Sequence, residues 1–201
     1  MYSVNYSNVR AGADEIGHHM SLVLHTPRLI LRPIAMKDAP AIQTYFPVWD
    51  IVKFLSTKVP WPYPDDGART YITRTLVEMK EKKKIAWAIT LKAQGDECIG
   101  VIAYMSEDLG LGNRGFWLAL PFHGRGYMTE AVTAVQNYLF FELGVKTIRA
   151  MCAADNVGSS RIKAKTGAIF VGHTDANHHS GETKTEVWEV SIENWRTFQN
   201  R

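Results

Sequence analysis

The chain has 201 residues, 46% of them hydrophobic and 11% aromatic, enough for one domain with a sizeable core and too apolar for disorder throughout. Its formal charge of +3, from 23 basic and 20 acidic residues, gives no concentrated basic excess and argues against a nucleic-acid partner, while leaving room for a local anion site. Cys98 and Cys152 are too few and too far apart for a disulfide framework or a zinc site; they read as buried free thiols, which fits a reducing cytoplasm.

No segment reaches the apolar length of a membrane span. Residues 1–21 carry Asp14 and Glu15 and lack the apolar core of a secretory signal, so they are expected to form a flexible leader, with residues 22–201 as a single domain. "RLILRPI", Arg28 to Ile34, alternates like a strand, and Pro33 marks its end or an edge. Asp38 then caps a short helix to about Phe46. A proline-rich aromatic loop, "VPWPYPDDG", leads into a helix over about Ala68 to Lys83, whose last turn, "KEKKK", suits the negative end of the helix dipole. "IAWAITL" and "CIGVIAYM" read as an antiparallel hairpin across the polar turn "KAQGDE", and Arg114 to Leu120 as a third strand. Tyr127 to Leu143 has a wide apolar face and a polar stripe, the pattern of a helix, and Gly144 stands where a left-handed cap belongs. Thr147 to Ala153 is the next strand, Ser159 to Lys165 a short basic helix, and "AIFVGH" with "EVWEVSI" a final strand pair. The helical crossover over 127–143 implies parallel neighbours inside an otherwise antiparallel, mixed α/β sheet flanked by helices.

The stretch "LPFHGRGYMTEAV" places two glycines and an arginine between a strand and a helix. The first N–H groups of a helix have no partner within it, and the dipole makes that end positive. Gly124, Gly126 and the amides after them suit a phosphate or pyrophosphate; an ordinary tight turn is the alternative. The pattern is not a P-loop, and Thr129 stands where a dinucleotide fingerprint needs a third glycine.

"FWLALPFHGRGYMTEAV" followed by "YLFFELGVKTIRAMCAADNVGSSRIKAKTGA" resembles the acetyl-CoA-binding core of the GNAT superfamily of N-acetyltransferases. "TPRLILRP", "VPWPYPDDGARTYI" and "VWEVSIENW" extend the resemblance over about residues 22 to 198, toward the branch of ribosomal-protein N-terminal acetyltransferases. The resemblance implies a largely antiparallel sheet with one splayed parallel strand pair. It also implies acetyl-CoA as cosubstrate, gripped at its pyrophosphate by His123, Gly124, Arg125, Gly126, Tyr127, Met128 and Thr129. Leu118, Ala119 and Leu120 would line the pantetheine arm, with Asn156, Ser159 and Arg161 as further contacts. Three positions depart from the family pattern: His123 replaces Gln or Arg, Met128 a small residue, and Ala168 a Phe.

In this family an amine attacks the thioester directly. Ser159 is the candidate acid for the leaving thiol, although capping a helix is its alternative role; Asn156 divides likewise between pantetheine and cap. Glu107 is the candidate base, with Asp108, His123, His173, Asp175 and Glu186 as alternatives. No metal is expected: His178 and His179 lie in a polar loop and read as exposed. Trp61 and Tyr63 are candidate pocket walls, and Trp87 a core residue. The implied acceptor is a primary amine, on a protein N-terminus or a small molecule. The protein is expected as a monomer or homodimer, with Trp195 and Phe198 exposed for contact or covering the sheet. A non-catalytic acyl-CoA-binding module is the rival reading.

Overall fold

The computed structural model describes residues 22–105 and 114–200. Among them, eight strands form one sheet in the order β1-β2-β3-β4-β5-β6-β8-β7. β1 (Leu24–His25), β2 (Leu29–Pro33), β3 (Lys84–Leu91), β4 (Gly100–Met105) and β5 (Arg114–Leu118) pair antiparallel in sequence order. β6 (Thr147–Ala153), β7 (Ile169–Asp175) and β8 (Lys184–Ser191) make the second antiparallel group. The groups meet only where β5 and β6 run parallel, and they touch at a single register position, Arg114 against Ala150. Beyond that point the two strands part. This is the mixed, mostly antiparallel sheet with one splayed parallel pair that the sequence implied.

Alternation along β3 divides the core. Ile85, Trp87, Ile89 and Leu91 face the helix α4 (Tyr127–Asn137), whereas Ala86 and Ala88 face the other side. The small alanines let α1 (Ala39–Tyr45), α2 (Trp49–Val52) and α3 (Gly67–Lys80) close over that second face, where Ile42, Val52, Ala68 and Ile72 are buried. Because both faces are covered, β3 shows no polar alternation in its sequence.

The 127–143 helix runs to Asn137 and then widens into a π-turn over Tyr138–Glu142, with Leu143 N–H bonding the Tyr138 carbonyl. The wide turn sets Tyr138 edge-on to Trp87, with ring centroids 6.0 Å apart. α5 (Val157–Lys165) follows β6, and α6 (Ile192–Gln199) ends the described chain. Trp195 on α6 is buried, its indole N–H donating to Asn137 Oδ1 at 2.8 Å, so it closes the core and is not an exposed contact residue. Phe198 stacks on Trp195 and lies against Gly167, next to the small Ala168. The expected leader, residues 1–21, lies outside the described residues.

Candidate active site

The gap between β5 and β6 begins at Arg114 and opens toward Leu118. Antiparallel ladders use alternate residues on each side. Ala119 donates its N–H to the Ile99 carbonyl at 2.8 Å on the β4 side. Trp117, two residues earlier, faces β4 in the same way, which turns the N–H and C=O groups of Phe116 and Leu118 toward the gap. Of the three residues assigned to the pantetheine arm, Leu118 presents its backbone N–H there, its carbonyl being taken by His123, and Ala119 is committed to the sheet. Leu120 belongs to a 3-10 turn, Leu120–Phe122, that Pro121 helps to start.

The glycine loop follows at once. Gly124 and Gly126 have φ of +74° and +77°, a left-handed conformation that a side chain strains. A Cβ at Gly124 would meet nothing within 4 Å, so backbone angle, not crowding within the protein, calls for glycine there. Gly126 is the N-cap of α4 and offers no side-chain acceptor. Among the described residues, the N–H groups of residues 124–129 have no acceptor; the next amide, of Glu130, bonds the Gly126 carbonyl. Six neighbouring donors at the positive end of a helix form a cradle suited to an anion.

His123 and Met128, the unusual residues, both turn away from that cradle. His123 Nε2–H donates to the Leu118 carbonyl at 2.8 Å and so ties the loop to the end of β5. Met128 is buried in the α4 core, leaving only its backbone at the loop. Arg125 and Arg161 are exposed, and Thr129 is half-buried.

A support that the sequence did not reveal lies behind the loop. The Arg28 guanidinium covers the Tyr127 ring at 4.5 Å, donates to the Arg125 carbonyl at 2.8 Å and pairs with Glu130 at 2.6 Å. Glu130 also accepts from the Thr26 hydroxyl and the Arg28 amide. Burial pushes the Glu130 carboxyl up, but these hydrogen bonds together outweigh it and hold the group below its ordinary value. The only sequence signal was the placement of Arg28 in "TPRL", far from the loop in the chain.

On the β6 side, the Asn156 side chain caps α5 by accepting from the Ser159 N–H at 3.0 Å. Its capping role is therefore realised. The Ser159 hydroxyl accepts from Lys163 Nζ at 2.6 Å. Glu186 accepts from the Ser160 hydroxyl and from Trp188 Nε1. His173 and Asp175 are exposed on β7. Glu107 and Asp108 lie outside the described residues.

On the opposite face of the sheet, beside Trp117, is a cavity of about 310 Å³. Ile42, Phe46, Tyr63, Tyr71 and Trp117 line it, with Lys58, Asp66 and Arg74 as charged members. Desolvation pushes the Tyr71 hydroxyl up to about 12, so it stays protonated. Trp61 instead packs on Trp49, and Trp87 is core. The β7–β8 loop closes over this side: His179 Nε2–H donates to the Val59 carbonyl at 2.8 Å, and Thr57 N–H bonds the Asn177 carbonyl. His178 is buried and bonded to Thr185. The two histidines were expected to be exposed; they are consumed in docking this loop, and no metal-binding cluster occurs among the described residues. No helix among those residues is long and apolar enough to cross a membrane.

Residues 28–169 match the family model of the GNAT acetyltransferase domain. The chain belongs to the GNAT family of acetyltransferases and is an N-acetyltransferase. It is 29% identical over 148 residues to the uncharacterized N-acetyltransferase YoaA of Bacillus subtilis (strain 168), covering 72% of this chain and 81% of YoaA. The uncharacterized N-acetyltransferase YjdG of the same organism is 27% identical over 172 residues, covering 83% of this chain and 98% of YjdG. Among solved structures, RimL, a ribosomal L7/L12 α-N-protein acetyltransferase in complex with coenzyme A, superposes with a TM-score of 0.74 at 16% identity, covering 86% of this chain and 99% of RimL. The microcin C7 self-immunity acetyltransferase MccE, in complex with acetyl-CoA and AMP, gives 0.71 at 17% identity, covering 83% and 94%.

Proposed function

We propose that this N-acetyltransferase takes its acetyl group from acetyl-CoA and passes it to a primary amine that enters from the Tyr63–Trp117 side. The observation that carries the reading is the continuity of the parted β5–β6 gap with six amides, 124–129, that lack an acceptor among the described residues. That row and Arg125 suit the pyrophosphate. The Phe116 backbone groups and the Leu118 N–H suit the amide-bearing pantetheine arm, and the exposed Arg161 is the proposed contact for the nucleotide end. The residues present therefore fit the cosubstrate, which supplies the activated acetyl thioester.

A gap-facing N–H of β5 holds the thioester oxygen as charge grows there, and being fixed in the sheet it needs no reorganisation. Attack by the neutral amine forms the N–C bond. Ser159 then gives a proton to the departing sulfur. The aromatic cavity beside Trp117 favours an acceptor with an apolar group next to its amine, such as a peptide N-terminus with an apolar first side chain or an aromatic amine. The likeness to RimL, a ribosomal L7/L12 α-N-protein acetyltransferase, supports a peptide N-terminus as the first choice to test.

The test is a screen of N-terminal peptides and small amines with acetyl-CoA, reading free thiol. Turnover above hydrolysis, strongest for amines with apolar neighbours, is expected. Tight CoA binding without turnover on any amine refutes the reading in favour of a non-catalytic CoA-binding module.

A further inference from the structure

Two cations are buried in the wedge between β5, α4 and α5. Lys163 is 1% exposed and Arg114 is 3% exposed. Arg114 Nη1 donates to Gln136 Oε1, while its Nε and Nη2 have no acceptor among the described residues. Neither cation forms an ion pair with a carboxylate among those residues. Desolvation lowers the pKa of Arg114 to about 10. Desolvation also lowers that of Lys163; Arg114 adds to this, whereas Cys152 on β6 and Glu186 on β8 oppose it. Buried charge without a paired carboxylate costs stability, and a long apolar side chain would pack there more favourably.

The position of the Lys163 ammonium suggests what offsets that cost. It lies over the Phe116 ring of β5 at 5.6 Å, and Cys152 on β6 is close enough to act on its pKa. These are the two strands that part to form the gap. One helical turn back on α5, Ser159 Oγ accepts from Nζ at 2.6 Å. An ammonium has donors and no acceptor. While Lys163 is charged, the Ser159 hydroxyl hydrogen cannot turn toward it and must donate elsewhere.

We propose that Lys163 is a positioning residue for Ser159, holding its hydroxyl as a donor to the CoA sulfur and replacing the proton it gives. The proposal rests on the acetyl-transfer reading above. As the C–S bond breaks, its electron pair stays on sulfur. Ser159 passes the Oγ–H proton to sulfur, and Lys163 passes an Nζ–H proton to Oγ, which leaves the free thiol and a neutral lysine. The acceptor ammonium loses two protons on its way to the amide. One returns to Lys163 through solvent and the other is released.

The test compares wild type with Lys163→Met, and with Lys163→Gln as a second variant that keeps a hydrogen-bond donor without charge. Two readings are taken: kcat and KM with acetyl-CoA across pH, and the titration of the bound CoA thiol, followed by thiolate absorbance in the ultraviolet. The second needs no turnover, so it judges Lys163 even if no acceptor is found. Expected are a Tm equal to or above wild type for Lys163→Met, kcat lowered about tenfold or more in both variants, KM for acetyl-CoA within about twofold, and a bound-thiol pKa raised by roughly one unit, a tenfold change. Wild-type kcat also falls at alkaline pH as Lys163 deprotonates, and the variants lose that limb. An unchanged thiol titration in both variants overturns the proposal. So does a kcat within twofold of wild type. Absence of wild-type turnover on every amine with a shifted thiol titration would instead sink only the acetyl-transfer reading.

Discussion

Two helices begin at the mouth of the same gap, and they are finished differently. α5 starts at Asn156, whose side chain accepts the Ser159 N–H and closes the helix end with the protein's own atoms. α4 starts at Gly126, which has no side chain to offer, and amides 124–129 stay without an acceptor among the described residues. With glycine at the N-cap, the bare end forgoes only about a few tenths of a kcal/mol of capping. The contrast separates an end built for stability from an end kept for an anion. The bare end is braced from behind by Arg28, Glu130 and Thr26, so its openness does not come from a loose loop.

Variants that test this contrast should act on different quantities. The largest effect is expected for Ser159→Ala, which keeps the α5 cap because only the Ser159 amide is used in it. Its kcat should fall about 100-fold with little change in KM for acetyl-CoA, as loss of a general acid predicts; steady-state kinetics checks this. Gly126→Val comes next. A β-branched residue at φ +77° costs roughly 1–2 kcal/mol of backbone strain and places bulk beside the cradle, so CoA affinity by calorimetry should fall at least about tenfold. Asn156→Ala should behave in the opposite way, lowering unfolding stability by about 1 kcal/mol while CoA affinity changes less than about threefold. Equal losses of CoA affinity in these last two variants would erase the distinction between the helix ends.

The smallest effect concerns the brace. The Glu130 carboxyl is held below its ordinary value in the fold, so its contribution is present above the usual glutamate range and is lost as pH falls through the folded pKa. Denaturant unfolding of wild type and Glu130→Gln should therefore differ near neutral pH and converge in acid. A difference independent of pH would mean that charge is not what Glu130 contributes.

Most of the frame could be read from local patterns. The strands of the central sheet, the α4 and α5 helices and the glycine turn each carry their signal within a dozen residues. What could not be read depends on distant partners. β1 is two residues long and α2 is four, too short for any period to show. The α6 helix holds Trp195, which looks like an exposed aromatic until Asn137 is brought to its indole N–H. His178 and His179 look like a solvated pair because nothing in their own loop foretells Thr185 as the partner of the first or Val59 as that of the second. His123 and Met128 departed from the family pattern, but side-chain direction decides their effect: one turns back to Leu118 and the other into the core. Lys163 stands in a short basic helix in the sequence, where nothing marks it as the buried one.

The central claim is that the row of amides 124–129 receives the CoA pyrophosphate. Titrating CoA into 15N-labelled protein and following the Gly124 and Gly126 amide resonances tests it most directly. Saturable downfield shifts at both glycines, larger than those at the capped start of α5, are the predicted result. Binding of CoA that leaves both glycine resonances in place would contradict it.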